Sequence, residues 1–249
     1  MKKILLEIKG LSKNYHTKNN EIKAIDNLSI DVYENEILAI VGPSGCGKST
    51  LLGILATLEN KTSGEIIKNY DYKIGYMLQT DSLFPWLTVL ENTLIGLNIK
   101  NNKTKENIND AINLLNKYGL NEFKNSYPNS LSGGMKQRVA LIRTLATNPD
   151  LILLDEPFSA LDYQTRLALS SDMYKIIKNE NKTAILITHD IAEAISMADR
   201  VIVLTKRPCT VKHIYEIKLN NKTDPIENRK DKNFNYYYDM IWRDLDVHI

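Results

Sequence analysis

Eight consecutive residues constrain this chain more than any others: Gly42-Pro43-Ser44-Gly45-Cys46-Gly47-Lys48-Ser49. Two glycines bracket four residues, and Lys and Ser follow at once. Glycines let several backbone N–H groups turn toward one phosphate chain. A lysine in that place reaches the outer phosphates, and a serine hydroxyl there can ligate Mg²⁺. The flanks agree with this reading. Residues 36–41 form a short, mostly apolar run, and residues 48–58 carry Leu51, Leu52, Leu55 and Leu58 at helical spacing. A helix that begins at Lys48 aims its positive N-terminal end at the same anions. Strand, glycine turn and helix in that order imply an α/β sheet with its ligand at the C-terminal edge of the strands. The expected phosphate contacts are Gly42, Pro43, Ser44, Gly45, Cys46, Gly47, Lys48, Ser49 and Thr50.

A second site element follows from the segment Leu151-Ile152-Leu153-Leu154-Asp155-Glu156. Four apolar residues in a row suit a strand buried on both faces of a parallel sheet. An acid at its end stands where it can hold Mg²⁺ beside the phosphates, and Asp155 fits that role. Glu156 is next along and in a strand would point the other way. It is the candidate general base that polarises an attacking water.

The rest of the chain alternates in the manner of a mainly parallel α/β fold. Strands are expected at 4–8, 22–32, 74–78, 183–188 and 201–204, and helices at 88–97, 104–118, 162–178 and 191–198. Residues 130–147 read as a turn followed by a helix that Pro149 ends. Beyond about Leu219 the character changes. Residues 220–233 are polar, contain Pro225 and read as a linker. Phe234, Tyr238, Ile241, Trp242 and Leu245 then share one face of an amphipathic helix, which either packs on the rest of the chain or meets a partner.

Composition excludes several classes. With 32 Lys+Arg against 30 Asp+Glu in 249 residues, the net charge is only +2, without the basic excess of a nucleic-acid binder. Cys46 and Cys209 are the only cysteines, too few for a disulfide framework, and read as free thiols in a reducing compartment. The apolar run after Lys2 and Lys3 stops at Glu7, too short for a signal peptide, and no stretch approaches the ~18 apolar residues of a membrane span. The expected location is cytoplasmic, with any membrane role supplied by a partner.

Between these two elements stands Leu131-Ser132-Gly133-Gly134-Met135, followed by Lys136-Gln137-Arg138. With it the sequence resembles the ABC ATPase family over nearly its whole length. The resemblance implies a P-loop NTPase (RecA-like) core, an N-terminal antiparallel β subdomain, and a helical subdomain inserted at about 80–135, all within residues 1–219. It makes Ser132, Gly133 and Gly134 the signature that meets the γ-phosphate of ATP held by a second copy of the chain. The commonest form of that signature has Gln where this chain has Met135. By the same resemblance Gln79 is a Mg²⁺ and water contact. Ser159-Ala160-Leu161-Asp162 is the D-loop, with Asp162 near the nucleotide. His189 contacts the γ-phosphate, and Tyr15 stacks on adenine.

The stretch Leu83-Phe84-Pro85-Trp86-Leu87-Thr88-Val89, with Glu91 and Asn92, resembles the nitrate, sulfonate and taurine importer branch, as does Lys206-Arg207-Pro208. The implied partners are a second copy in a head-to-tail dimer, transmembrane permease subunits and, indirectly, an extracytoplasmic solute-binding protein. The implied cofactors are ATP and Mg²⁺. An exporter ATPase is the alternative, followed by a non-transport ABC ATPase. The absence of a heptad run or second cassette disfavours the latter.

Overall fold

The computed structural model describes residues 3–16, 20–159, 161–220 and 222–245. Its centre is a six-stranded sheet of β3 (Ile37–Val41), β5 (Ile74–Met77), β6 (Leu151–Asp155), β7 (Thr183–Ile187), β8 (Arg200–Leu204) and β9 (Val211–Glu216), in the order β5-β6-β7-β3-β8-β9. All neighbouring pairs are parallel except β8 with β9. Strand β3 is buried throughout, and its side chains alternate between two cores. Ile37, Ala39 and Val41 join one core, while Leu38 and Ile40 join the other.

One face of the sheet is covered by α1 (Lys48–Leu55) and a three-stranded antiparallel sheet in the order β2-β1-β4, built from β1 (Ile4–His16), β2 (Glu21–Tyr33) and β4 (Ser63–Lys68). The opposite face is covered by α4 (Gly133–Leu145), α5 (Tyr163–Asn179) and α6 (Ile191–Met197). Helices α2 (Val89–Ile99) and α3 (Lys105–Lys117) lie between β5 and α4 in the chain and share a small cluster of Leu94, Leu97 and Ala111. Because the central strands run parallel, the C-terminal ends of β6, β7 and β3 lie side by side along one edge, which places Asp155, Thr188 and Gly42 in that order. Among the described residues no helix is long and apolar enough to cross a membrane.

Several expectations shift. The first strand runs on to His16, since its second half pairs with β2 and β4 through register slips. Strands β4 and β9 were not foreseen, because each is a half-exposed edge strand whose pattern is mixed. Helix α1 stops at Leu55. Thr57 takes φ +60°, its N–H donates to Ile54 O, and Leu58 N–H returns to Gly53 O, a left-handed cap that leaves Leu58 outside and exposed.

The polar stretch 220–233 is not a free linker. Lys222 binds Asp199, Asp224 accepts from Ser171 and Lys175, and Asn228 is buried, donating to Ser196 O at 2.7 Å. A short helix α7 (Pro225–Asn228) sits inside it. Helix α8 (Phe234–Asp244) then packs on α6 and buries Phe234 and Ile241, while Trp242 keeps part of its ring in solvent, stacked on Tyr238.

Candidate functional site

Strand β3 delivers the chain into the turn 42–47 and α1 continues from it. Gly45 and Gly47 have φ of +69° and +134°, and a Cβ on Gly47 would stand 3.0 Å from Cys209 Sγ and 3.1 Å from Ala24 O. Glycine is required there by both backbone and space. Lys48 is buried, and its ammonium donates to Gly42 O at 2.8 Å and Pro43 O at 3.1 Å. The lysine thus lies folded along the turn it closes. In front of it opens a cavity of about 250 Å³, lined by Ser44, Gly45, Gly47, Lys48, Ser49, Thr50, Glu156 and Arg207. Gly42, Pro43 and Cys46, also expected as phosphate contacts, belong to the turn but do not line the cavity, and the Cys46 and Cys209 thiols form no disulfide and are buried.

The carboxylates meet this cavity from β6. Ser49 Oγ donates to Asp155 Oδ1 at 3.5 Å and Tyr76 OH donates to Oδ2 at 3.2 Å. Burial pushes the Asp155 carboxyl above its ordinary range, against the hydrogen bond from Tyr76; the Glu156 charge raises it further. Glu156 does not continue the strand. Its φ of +44° turns it left-handed, so its carboxylate lines the same cavity rather than pointing away, contrary to strand alternation. A non-glycine residue held at that φ is strained, and its N–H bond to Ile187 O at 2.9 Å helps hold it.

Glu156 is the centre of a polar chain. His189 Nδ1 lies 3.0 Å from Glu156 Oε2, Ser159 Oγ donates to Glu156 O at 3.1 Å, and Gln79 Nε2 donates to Ser159 Oγ at 3.1 Å. Gln79 therefore reaches the site through Ser159 and does not touch Ser49 or line the cavity. Ala160 of the expected D-loop lies outside the described residues.

The remaining candidates stand apart from that cavity. Ser132 caps α4, its hydroxyl accepting from Met135 N at 3.3 Å, and Asp162 caps α5, accepting from Thr165 N at 3.0 Å. The two helix starts are neighbours: a Cβ on Gly133 would meet Leu161, and one on Gly134 would meet Thr165. Ser132, Gly133, Gly134 and Asp162 thus form a second group, on a face that does not include Lys48. Tyr15 borders the first group. Its hydroxyl donates to Glu59 at 2.5 Å and lies 3.1 Å from Thr50 Oγ1, and Lys13 covers its ring at 4.7 Å from the centroid.

Arg207 was missed as a site residue. Its Nη2 and Nε donate to Gly45 O at 2.6 and 3.1 Å, so its guanidinium clamps the glycine turn and lines the cavity. The Lys206-Arg207-Pro208 turn was visible in the sequence, but nothing in its spacing links it to a turn 162 residues earlier.

The donor set suits a magnesium triphosphate. Ser49 hydroxyl and Asp155 carboxylate are hard oxygens that converge beside a lysine, and Mg²⁺ takes few protein ligands when phosphates and water complete its shell. The glycine turn and Lys48 supply the cationic, donor-rich surface that a phosphate chain needs.

Comparison with known proteins agrees. The family model described as ABC transporter matches residues 25–159. The formylaminopyrimidine import ATP-binding protein of Halalkalibacterium halodurans is 41% identical over 208 residues, covering 84% of this chain and 82% of that protein. The aliphatic sulfonates import ATP-binding protein of Bacillus cereus is 37% identical over 220 residues, covering 86% of each. A dimeric ATP-binding cassette solved in a post-hydrolysis state with ADP and Pi superposes with a TM-score of 0.72 at 34% identity, covering 86% of this chain and 99% of that one. With the family model spanning more than half of its residues and relatives of 37–41% identity over most of both chains, the chain belongs to the ABC transporter ATP-binding family.

Proposed function

We propose that this chain is the ATP-binding and ATP-hydrolysing subunit of an ABC importer for sulfonate- or taurine-like solutes, nitrate or vitamin precursors. The observation that carries the hydrolytic part is the convergence of Lys48, Ser49, Asp155, Glu156 and His189 on one sheet edge. Import, with sulfonates and vitamin precursors among the solutes, is supported by the relatives named above, and nitrate and taurine by the resemblance of residues 83–92.

The phosphates displace the Lys48 ammonium from the Gly42 and Pro43 carbonyls, and its charge then offsets theirs. Ser49 and Asp155 would hold Mg²⁺, which would offset charge on the phosphates, and Gln79 would join them only by releasing Ser159. Glu156 accepts a proton from the attacking water, and His189, hydrogen-bonded to Glu156, keeps that carboxylate oriented and faces the γ-phosphate. Ser132, Gly133 and Gly134 lie away from this cavity, which supports a head-to-tail dimer in which each signature completes the partner's site.

Coupling to permease subunits would run through the loop after Gln79. Phe84 and Trp86 pack edge to face at 5.3 Å with Trp86 68% exposed. Asn92 holds their loop by bonds to Phe84 and Leu87, and Arg143 holds the carbonyls of Asp81 and Ser82. A rigidly held, exposed aromatic pair suits a protein contact. The chain would then work on the cytoplasmic face of the membrane, peripheral through the permease, with a solute-binding protein upstream.

The test is steady-state phosphate release by the purified chain with Mg²⁺-ATP, against Lys48→Ala. The variant is expected to lose turnover by about a hundredfold or more. Near-normal turnover in the folded variant would refute the phosphate role.

A further inference from the structure

Glu193 occupies the first turn of α6 and is only 3% exposed. A carboxyl group that deep is normally paired. This one is bonded through a single side-chain oxygen. The Thr188 hydroxyl donates to Oε2, whereas Oε1 has no hydrogen-bond partner among the described residues. Thr188 Oγ1 also accepts from Asp190 N at 3.0 Å, and Asp190 Oδ1 accepts from Glu193 N at 3.0 Å. Thr188, Asp190 and Glu193 thereby close a small ring of bonds about the turn whose middle residue is His189. The cleft shared by Glu156, Ser159, Arg166, His189 and Glu193 is too tight for a water molecule that could serve the orphan oxygen.

We propose that Glu193 is a positioning residue for hydrolysis, which fixes the Thr188–Asp190 turn and through it the His189 imidazole against Glu156. The inference rests on the ATPase reading above. A buried oxygen without a hydrogen-bond donor carries negative charge only at great cost, so the acid works with its proton on. Burial pushes the Glu193 carboxyl up to about 8, against the Thr188 bond and the charges of Arg166 on α5 and Arg229 beyond α7; Asp190 adds to the rise. Neither arginine neutralises it directly, since Arg166 binds Asp190 at 3.3 Å and the Nε atoms of Arg166 and Arg229 are themselves unpartnered. Ionisation puts an unpaired charge beside Thr188 and Asp190, loosens the turn, and misplaces His189.

The experiment is the pH profile of Mg²⁺-ATP turnover from pH 6.5 to 9 for the wild type, Glu193→Gln and Glu193→Ala, with kcat and KM separated and folding checked by circular dichroism. Wild-type kcat is expected to fall as pH passes about 8 while KM changes less than about twofold. Glu193→Gln, which mimics the protonated acid, keeps at least about half of the wild-type kcat at pH 7 and loses that alkaline fall. Glu193→Ala loses about tenfold or more in kcat with KM nearly unchanged. Should the alanine variant fail to fold, the glutamine profile decides alone. A Glu193→Gln profile that still falls at the same pH, or a folded alanine variant with wild-type kcat, overturns the proposal while leaving the ATPase reading intact. A wild-type chain with no Mg²⁺-dependent turnover overturns both.

Discussion

Arg207→Ala isolates a contact that joins two distant turns. The guanidinium gives two bonds to one carbonyl, Gly45 O, from Nη2 at 2.6 Å and Nε at 3.1 Å. A hydrogen bond from a charged donor contributes about 1.5–3 kcal/mol where water is excluded. Arg207 is exposed, so water replaces part of what is lost, and the pair is worth about 1–2 kcal/mol. Without the clamp, Gly45, at φ +69°, regains backbone freedom that nucleotide binding must then remove. The cavity also loses a cation. If the whole difference falls on binding, ATP affinity drops by about 5- to 30-fold.

The assay is a titration with a fluorescent ATP analogue at low and at high salt. The wild-type advantage should shrink at high salt, because the charge component is screened and the clamp component much less so. Arg207→Lys keeps the charge but lacks the planar fork, and is expected to fall between the two. An affinity within about twofold of wild type in a folded Arg207→Ala protein would show that the clamp contributes nothing to the site.

Two further perturbations probe other parts of the molecule. Glu156→Gln should bind ATP normally, accumulate as a nucleotide-bound dimer in size-exclusion chromatography, and turn over about 10²- to 10⁴-fold more slowly; turnover at the wild-type rate would end the base assignment. Asp199 ties the tail to the sheet by accepting from Ile37 N, Lys178 and Lys222, each at 2.8 Å. Against the opposing effect of its burial, Lys222 and Lys178 hold its carboxyl down to about 2 from the ordinary 3.8. That depression corresponds to about 2 kcal/mol of folding stability, present above about pH 4 and lost as pH falls toward 2. Urea unfolding of Asp199→Asn should show a deficit of about 2 kcal/mol at pH 7 that closes below pH 4, and a deficit independent of pH would contradict the ion-pair account.

Much of the site was legible because its chemistry is written in contiguous residues. The glycine turn 42–47, the strand that ends in Asp155 and the Ser132 cap each need only local backbone geometry to work. The order of these segments along the chain implied a parallel sheet, and that sheet aligns their ends. Glu156 was named as the base, but its left-handed backbone was invisible to a reading that assumes strand alternation. Strands β4 and β9 escaped because edge strands carry little periodic signal. The tail was misread as a linker because its polar residues looked solvated, when their partners Ser171, Ser196 and Asp199 lie elsewhere in the chain.

The amino-acid order by itself determined which groups are present: a phosphate-turning loop, a buried strand tipped with two acids, and a serine–glycine helix start. Those properties are local, set by allowed dihedrals and by what five or six neighbouring side chains can do. Only the tertiary structure decided that Arg207 grips Gly45 and that Gln79 reaches Glu156 by way of Ser159. The two join residues 162 and 80 positions apart in the chain, and such contacts exist only once the sheet has brought its strand ends to one edge.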